Sequence, residues 1–237
     1  MGISMSQFQQ LSLAIKLDDQ ATFENFYAPR GSTQHFATLI LKDSHQSLAY
    51  LVGGSGCGLS HLLQAACQKS PLQRSSTAIY LPMSELSDCE PAEVLEGLQG
   101  LSLVCVDDLH SVASQPQWQV PLFNFFNRCH ESGTRLVFTS HKLPENLGVQ
   151  LPDLLSRLQS GLIHRLTDYR DDDLRRLLQF RANGRGLYLS DEAARYLLAR
   201  LSRDTKSLMS ALETLDHSSM QQQRRLTVPF VKATLNL

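Results

Sequence analysis

Eight residues restrict the fold of this chain more than any others: Gly53-Gly54-Ser55-Gly56-Cys57-Gly58-Leu59-Ser60. They nearly complete the phosphate-binding loop G-x-x-x-x-G-K-[ST]. In such a loop, glycines let successive backbone N–H groups wrap phosphate oxygens, a Lys reaches the β- and γ-phosphates, and a hydroxyl holds Mg²⁺. The flanks fit as well. Ser47 to Val52 is short and apolar, as a buried strand requires, and Ser60 to Gln68 is an amphipathic helix. The one departure is Leu59, which stands where the Lys belongs. Backbone dipoles and the helix N-terminus still offer a diphosphate a cradle, and the Ser60 hydroxyl is retained. A charge-assisted hydrogen bond contributes about 1.5 to 3 kcal/mol, so its loss weakens triphosphate binding and slows intrinsic hydrolysis. The loop therefore reads as that of a nucleotide binder with little ATPase activity of its own.

The rest of the chain supplies the fold that such a loop needs. Further strands are expected at Thr77 to Pro82, Leu101 to Val106 and Thr134 to Ser140, with helices between them, including Gln117 to Cys129. Leu101 to Val106 is a near-continuous apolar run of the kind a parallel sheet buries on both faces. The alternating order predicts an open, mainly parallel α/β sheet that binds ligand at the carboxyl ends of its strands. After about Leu166 only helices are expected: from Asp171-Asp172 through Asn183, from Ser190-Asp191 through Leu201, from Asp204-Thr205 through His217, and a short one opened by Thr227-Val228-Pro229. Gly184 and Gly186 separate the first two. The expected domains are an N-terminal arm over residues 1–20, an α/β nucleotide-binding domain over 21–166 and an all-α lid over 167–237. A helix ending at Lys42 is expected ahead of the first strand.

Two carboxylates close the apolar strand. In phosphate-loop proteins an acid at this place holds Mg²⁺ and the next orients the attacking water, which makes Asp107 the metal candidate, together with Ser60, and Asp108 the candidate base. Thr139, Ser140 and His141 end the following strand, where they can sense a γ-phosphate. The formal net charge of −1 advertises no nucleic-acid partner, and Arg175-Arg176 and Arg224-Arg225 read as solvated helix faces. No run of roughly 18 apolar residues is present, and the polar N-terminus lacks a signal-peptide core, so a cytoplasmic chain is expected. Five cysteines without a C-x-x-C pair read as reduced thiols.

Taken together, T-F-E-N-F at 22–26, G-G-S-G-C-G-L-S-H-L-L at 53–63, L-V-C-V-D-D at 103–108, F-F-N at 125–127 and L-V-F-T-S at 136–140 resemble the AAA+ ATPase module of the bacterial replication initiator DnaA. The similarity runs from Thr22 to Leu237. It implies an AAA+ sheet with a C-terminal helical lid, and it assigns two further residues. Arg157, in Ser156-Arg157-Leu158, matches the box that supplies an arginine finger to a neighbouring subunit, a group worth about 10³ to 10⁵ in rate. Lys206 lies in Asp204-Thr205-Lys206-Ser207-Leu208, which matches the sensor 2 helix. It keeps the charge of the family's usual Arg but loses its planar fork.

The chain ends at Leu237, where the initiator's DNA-reading domain would begin, so it resembles the family's regulatory inactivators and no direct sequence-specific DNA binding is expected. At the other end, Gln10-Leu11-Ser12-Leu13-Ala14-Ile15 resembles the peptide by which many proteins dock to the β sliding clamp of DNA polymerase III. Leu11, Leu13 and Ile15 would enter apolar pockets while the Gln10 amide fixes the register. The resemblance implies a regulator with ADP at Gly53 to Ser60, and Mg²⁺ as a further ligand. This regulator is tethered to the clamp and presents Arg157 to ATP held by the initiator. Rival readings are a self-contained ATPase or small-molecule kinase, which Leu59 disfavours, and an adaptor that recruits a replication protein without triggering hydrolysis. Stacking of copies of this chain through the same surfaces stays open.

Overall fold

A computed structural model of the chain describes residues 17–43, 45–69, 77–222 and 226–237. These fall into two compact units, one running up to Gly53 and from Gly58 to Leu166, the other comprising Gly54–Cys57 and Thr167–Leu237.

The first unit is built on a five-stranded sheet: β1 (Leu48–Val52), β2 (Ala78–Pro82), β3 (Leu103–Asp107), β4 (Arg135–Ser140) and β5 (Leu162–Arg165). Its order is β2-β3-β4-β1-β5, with every pair parallel. The helices of this unit are α1 (Thr33–Lys42), α2 (Leu59–Lys69), the short α3 (Met83–Leu86) and α4 (Pro91–Leu95), α5 (Pro116–Ser132) and α6 (Pro152–Gln159). β1 and β3 are buried at every position, as expected of parallel strands covered on both faces. Because side chains alternate across a strand, Tyr50, Leu81, Val104, Val106, Leu136 and Phe138 share one core with Trp118, Leu122, Phe125 and Leu154 of α5 and α6. Ala49, Leu51, Cys105 and Val137 are buried outside that cluster, and α2 packs on β2, β3 and β4. Trp118 and Phe125 are fully enclosed, each worth about 1.5 to 3 kcal/mol relative to exposure.

Helix ends follow local chemistry. Ser32 caps α1 by accepting from the His35 N–H, and Arg135 of β4 donates to the carbonyls of Ile40 and Leu41 in its last turn and of Gln46 beyond it. Pro116 opens α5, and Gly133, in the left-handed conformation at φ 73°, closes it. One strand was not anticipated. β5 is mostly exposed, lies at the sheet edge beside β1, and carries only Leu162 and Ile163 as apolar residues.

The second unit contains α7 (Asp171–Gly184), α8 (Asp191–Arg200), α9 (Thr205–Gln222) and α10 (Val228–Leu235). Ser190 caps α8 through the Ala193 N–H, and the Asp204 carboxylate accepts from the Ser207 N–H and hydroxyl to start α9. α9 runs five residues beyond the expected His217 because no glycine or proline follows to stop it. Leu174, Leu178, Ala194, Leu197, Leu208, Leu212, Phe230 and Val231 form its interior.

Candidate functional site

β1 feeds the glycine loop into α2 as expected: Gly53 N–H donates to the Ser140 carbonyl, and Leu62 N–H returns to the Gly58 carbonyl as the helix begins. Two glycines carry the turn. Gly56 and Gly58 hold φ of 80° and 98°, and a Cβ on Gly58 would lie 2.5 Å from Phe26 Cε2. Phe26, from the T-F-E-N-F segment, is buried on the loop and stacks at 5.3 Å on His61, whose Nε2 meets the Thr22 carbonyl at 2.8 Å. That segment therefore braces the start of α2. Within the second unit, the Thr205 hydroxyl donates to the Gly56 carbonyl at 3.1 Å, next to exposed Lys206, and Gly54 packs directly on the Asp168 carboxylate.

Leu59 is 5% exposed, so its side chain belongs to the packed first turn of α2 and presents no charge to a phosphate. The fit to a nucleotide consequently rests on the glycine backbone and the free N–H groups of the first helical turn. These suit a diphosphate.

Asp107 ends β3 and is 1% exposed. Its Oδ2 accepts from the Tyr80 hydroxyl at 2.6 Å, and its Oδ1 accepts from the Thr139 hydroxyl and, at 3.1 Å, from the Asp108 N–H. Burial raises the Tyr80 phenol above its ordinary value and the Asp107 carboxylate adds to the shift, while the Gln64 and Ser60 side chains pull the other way. Tyr80 thus remains a donor that stands between Ser60 and Asp107. A Mg²⁺ ion shared by those two residues would require Tyr80 or Thr139 to move.

Thr139 and Ser140 are fully buried, Thr139 on Asp107 and Ser140 as acceptor for the Lys142 N–H. Of the three residues expected to sense a phosphate, His141 alone reaches solvent. Its Nδ1 meets the Gly53 carbonyl at 2.8 Å. Asp108 follows in the left-handed region at φ 53°, a conformation that Asp tolerates better than most residues. It brings Oδ1 to 3.9 Å from both His110 Nδ1 and His141 Nε2. The two imidazoles tilt together with centroids 4.8 Å apart, and burial lowers the His110 pKa, against the opposing pull of Asp108.

Arg157 occupies the last turn of α6, half-buried, with its guanidinium 5.7 Å from the Phe126 ring centroid. The F-F-N segment therefore supplies both a core residue, Phe125, and the ring beneath Arg157. Among the described residues no ion pair engages Arg157. The structure brings Gly53, at the start of the glycine loop, Asp107, Asp108, Thr139 and His141 together at the carboxyl edge of the sheet, while Arg157 is carried by α6. Gln10, Leu11, Leu13 and Ile15 lie outside the described residues.

Sequence reasoning missed Tyr80 and His110. Nothing in the letters of β2 singles out a tyrosine as the partner of Asp107. His110, by contrast, follows Asp108 by two residues, a spacing that could have drawn attention to it.

A glycine loop joining an interior parallel strand to a helix, a buried acid at the end of the strand two places away in the sheet, and a following helical unit define an AAA+ nucleotide-binding protein. Residues 17–165 match the bacterial DnaA ATPase domain, and residues 171–235 match the lid domain of Hda. The chain therefore belongs to the DnaA family of AAA+ proteins, close to Hda. Solved structures agree in fold. Domain III of the DnaA initiation protein from Thermotoga maritima superposes with a TM-score of 0.76 at 21% identity, covering 94% of this chain and 98% of that one. AMPPCP-bound DnaA from Aquifex aeolicus gives 0.70 at 18% identity over 88% and 71% of the two chains. The RuvB Holliday junction branch migration motor of Thermotoga maritima gives 0.61 at 16% identity, over 91% and 71%. No helix among the described residues is long and apolar enough to cross a membrane.

Proposed function

We propose that this protein is a negative regulator of chromosomal replication initiation that makes the initiator DnaA hydrolyse its bound ATP. The observation that carries this reading is Leu59. A DnaA-type module whose loop packs an apolar side chain in place of the phosphate-binding Lys is poorly equipped to turn over ATP itself, yet it keeps on α6 an arginine that no ion pair engages among the described residues. Chemistry is then supplied to a neighbour's nucleotide. ADP on the Gly53–Ser60 backbone, with Lys206 next in sequence to the Thr205 that bonds the Gly56 carbonyl, holds the module in its active form. Arg157 enters the DnaA active site, where a guanidinium neutralises charge developing on the transferred phosphoryl group. Ser60 and Asp107 are the residues that would hold Mg²⁺, and Asp108 is the acid that could orient water in any residual turnover.

The Gln10-Leu11-Ser12-Leu13-Ala14-Ile15 segment adds a tether to the β sliding clamp. Binding there raises the effective concentration of the regulator near initiators on replicated DNA. The lid match to Hda supports placing this chain on the regulatory branch of the family.

The test is ATP hydrolysis by purified DnaA with clamp loaded on DNA, with ADP and this protein added, comparing wild type with Arg157→Ala and Gln10→Ala. Wild-type stimulation that Arg157→Ala abolishes, and that Gln10→Ala loses only in its dependence on loaded clamp, is the expected result. No stimulation by wild type overturns the reading in favour of an adaptor. Stimulation that persists in Arg157→Ala removes the arginine-finger role.

A further inference from the structure

The strand ends beside the glycine loop bring one carboxylate and two imidazoles together. Asp108 follows β3, His141 follows β4, and His110 lies in the single 3₁₀ turn Leu109–Ser111. β3 and β4 are hydrogen-bonded parallel neighbours, so the backbone that presents two of the three residues is rigid. One ligand-type atom from each residue lies within 4.8 Å of the others.

Three features aim these atoms at a common point. Asp108 is one of only two non-glycine residues at positive φ among those described, and this conformation swings its carboxylate between the imidazoles. His141 Nδ1 lies at hydrogen-bond distance from a carbonyl, that of Gly53. A carbonyl only accepts, so Nδ1 carries a proton, which leaves Nε2, the nitrogen nearer Asp108, as the one that can offer a lone pair to a metal. His110 Nδ1 is buried without a hydrogen-bond partner. Its 3.9 Å separation from Asp108 is too long for a hydrogen bond, so in either tautomer that nitrogen is desolvated and unpaired.

We propose that Asp108 Oδ1, His110 Nδ1 and His141 Nε2 form a binding site for a divalent transition-metal ion of the Zn²⁺ class. Two imidazoles and one carboxylate form a common donor set for such ions. Mg²⁺ prefers oxygen ligands and retains its waters, so it is a poor fit. With metal–ligand bonds of about 2.0 to 2.2 Å, tetrahedral ligand atoms lie roughly 3.3 Å apart. Closing the two 3.9 Å separations from Asp108 needs about 0.6 Å at each, and closing the pair of imidazole nitrogens, which lie within 4.8 Å, needs up to about 1.5 Å, a movement that side-chain rotation supplies at positions that are only partly buried. Water completes the coordination on the exposed His141 side. The Gly53 carbonyl acts as the outer partner that fixes the His141 ring, a usual arrangement for metal-bound histidine. Metal at this site ties up the Asp108 carboxylate and connects the strand ends, through His141, to the first residue of the glycine loop.

The test uses full-length, nucleotide-free, metal-stripped protein at neutral pH, titrated with Co²⁺ while visible absorption is recorded, followed by displacement with Zn²⁺. One equivalent of Co²⁺ is expected to develop d–d bands without a sulfur-to-metal charge-transfer band. Zn²⁺ should remove the bands and excess Mg²⁺ should leave them unchanged. His110→Gln, Asp108→Asn and His141→Gln are each expected to weaken binding at least about tenfold, while His45→Gln, on an exposed residue outside the cluster, binds as wild type. Far-UV circular dichroism checks that each variant is folded, and His141→Gln is the decisive variant because its side chain is the most exposed of the three. Three outcomes overturn the proposal: no stoichiometric uptake by wild type, uptake that survives all three substitutions, or a sulfur charge-transfer band placing the metal on the free cysteines. None of these readouts involves DnaA or nucleotide hydrolysis, so the result stands apart from the regulatory reading.

Discussion

Leu59 is the residue where sequence and packing answer different questions. The letters say that a cation is missing; the structure adds that the replacement is buried in the first turn of α2 and contributes to its anchoring. Restoring the cation therefore has opposing effects. Leu59→Lys is expected to lower the unfolding free energy of the nucleotide-free protein by about 1 to 2 kcal/mol, as apolar burial is lost and the ammonium turns outward. The same change should tighten ATP relative to ADP by about tenfold, the equivalent of one charge-assisted hydrogen bond to the β- and γ-phosphates. Urea unfolding and competition titration measure the two effects. An unchanged ATP-to-ADP affinity ratio would mean that the loop holds phosphate somewhere other than the glycine backbone.

Elements hold the site residues by ties far from the loop, and α6 is the clearest case. Its approach is pinned by buried Gln119 of α5, whose Oε1 accepts from both Gln150 and Leu151 N–H at 2.9 Å. Gln119→Ala strands both donors and is expected to cost about 1 to 3 kcal/mol. Because α6 carries Arg157, under the proposed function it should also reduce stimulation of DnaA hydrolysis while ADP affinity, measured by titration, stays within about twofold of wild type. In β1, Tyr50 donates to the Lys142 carbonyl at 2.7 Å, and burial pushes its phenol up to about 12 from 10.0. Between those values the unfolded chain loses the proton while the folded chain keeps it. Stability therefore falls as pH rises through this window, by about 2 to 3 kcal/mol in total. Tyr50→Phe should cost about 1 kcal/mol at neutral pH and flatten the decline, as followed by urea unfolding at successive pH values. Such ties also mark where sequence reading stops. β1, β3 and β4 were legible because strands buried on both faces write long apolar runs. β5 was not, since its exposed edge position leaves only four residues of mixed polarity. Asp107 and Asp108 were legible as a pair. Their separation into a buried acceptor held by Tyr80 and a left-handed carboxylate between two histidines depends on contacts 27 and 33 residues apart in sequence, which no local pattern encodes.

At the scale of the whole molecule, the glycine loop is where nucleotide binding can be read by the helical unit. Gly54–Cys57 cluster with the helices, and the Thr205 hydroxyl, in the first turn of α9, bonds to the Gly56 carbonyl. A ligand that orders the loop backbone must therefore also order the start of α9. A ligand that binds only the folded protein stabilises it by RT ln(1 + [L]/Kd), about 2.7 kcal/mol at one hundred times Kd. That energy is distributed over whatever the loop holds in place. Saturating ADP is thus expected to slow amide hydrogen exchange at Gly54–Ser60 and also in the first turn of α9, where Asp204 and Ser207 already close a capping arrangement. Thr205→Val keeps the shape of the side chain and removes the hydroxyl. In that variant, slowing at the loop should persist while slowing in α9 drops to a small fraction of its wild-type value. If α9 is protected equally in both proteins, the helical unit senses nucleotide by another route, with Lys206 the next residue to replace. If α9 is protected in neither, the loop binds nucleotide without informing the helices, and ADP could not set the active form of the regulator through this contact.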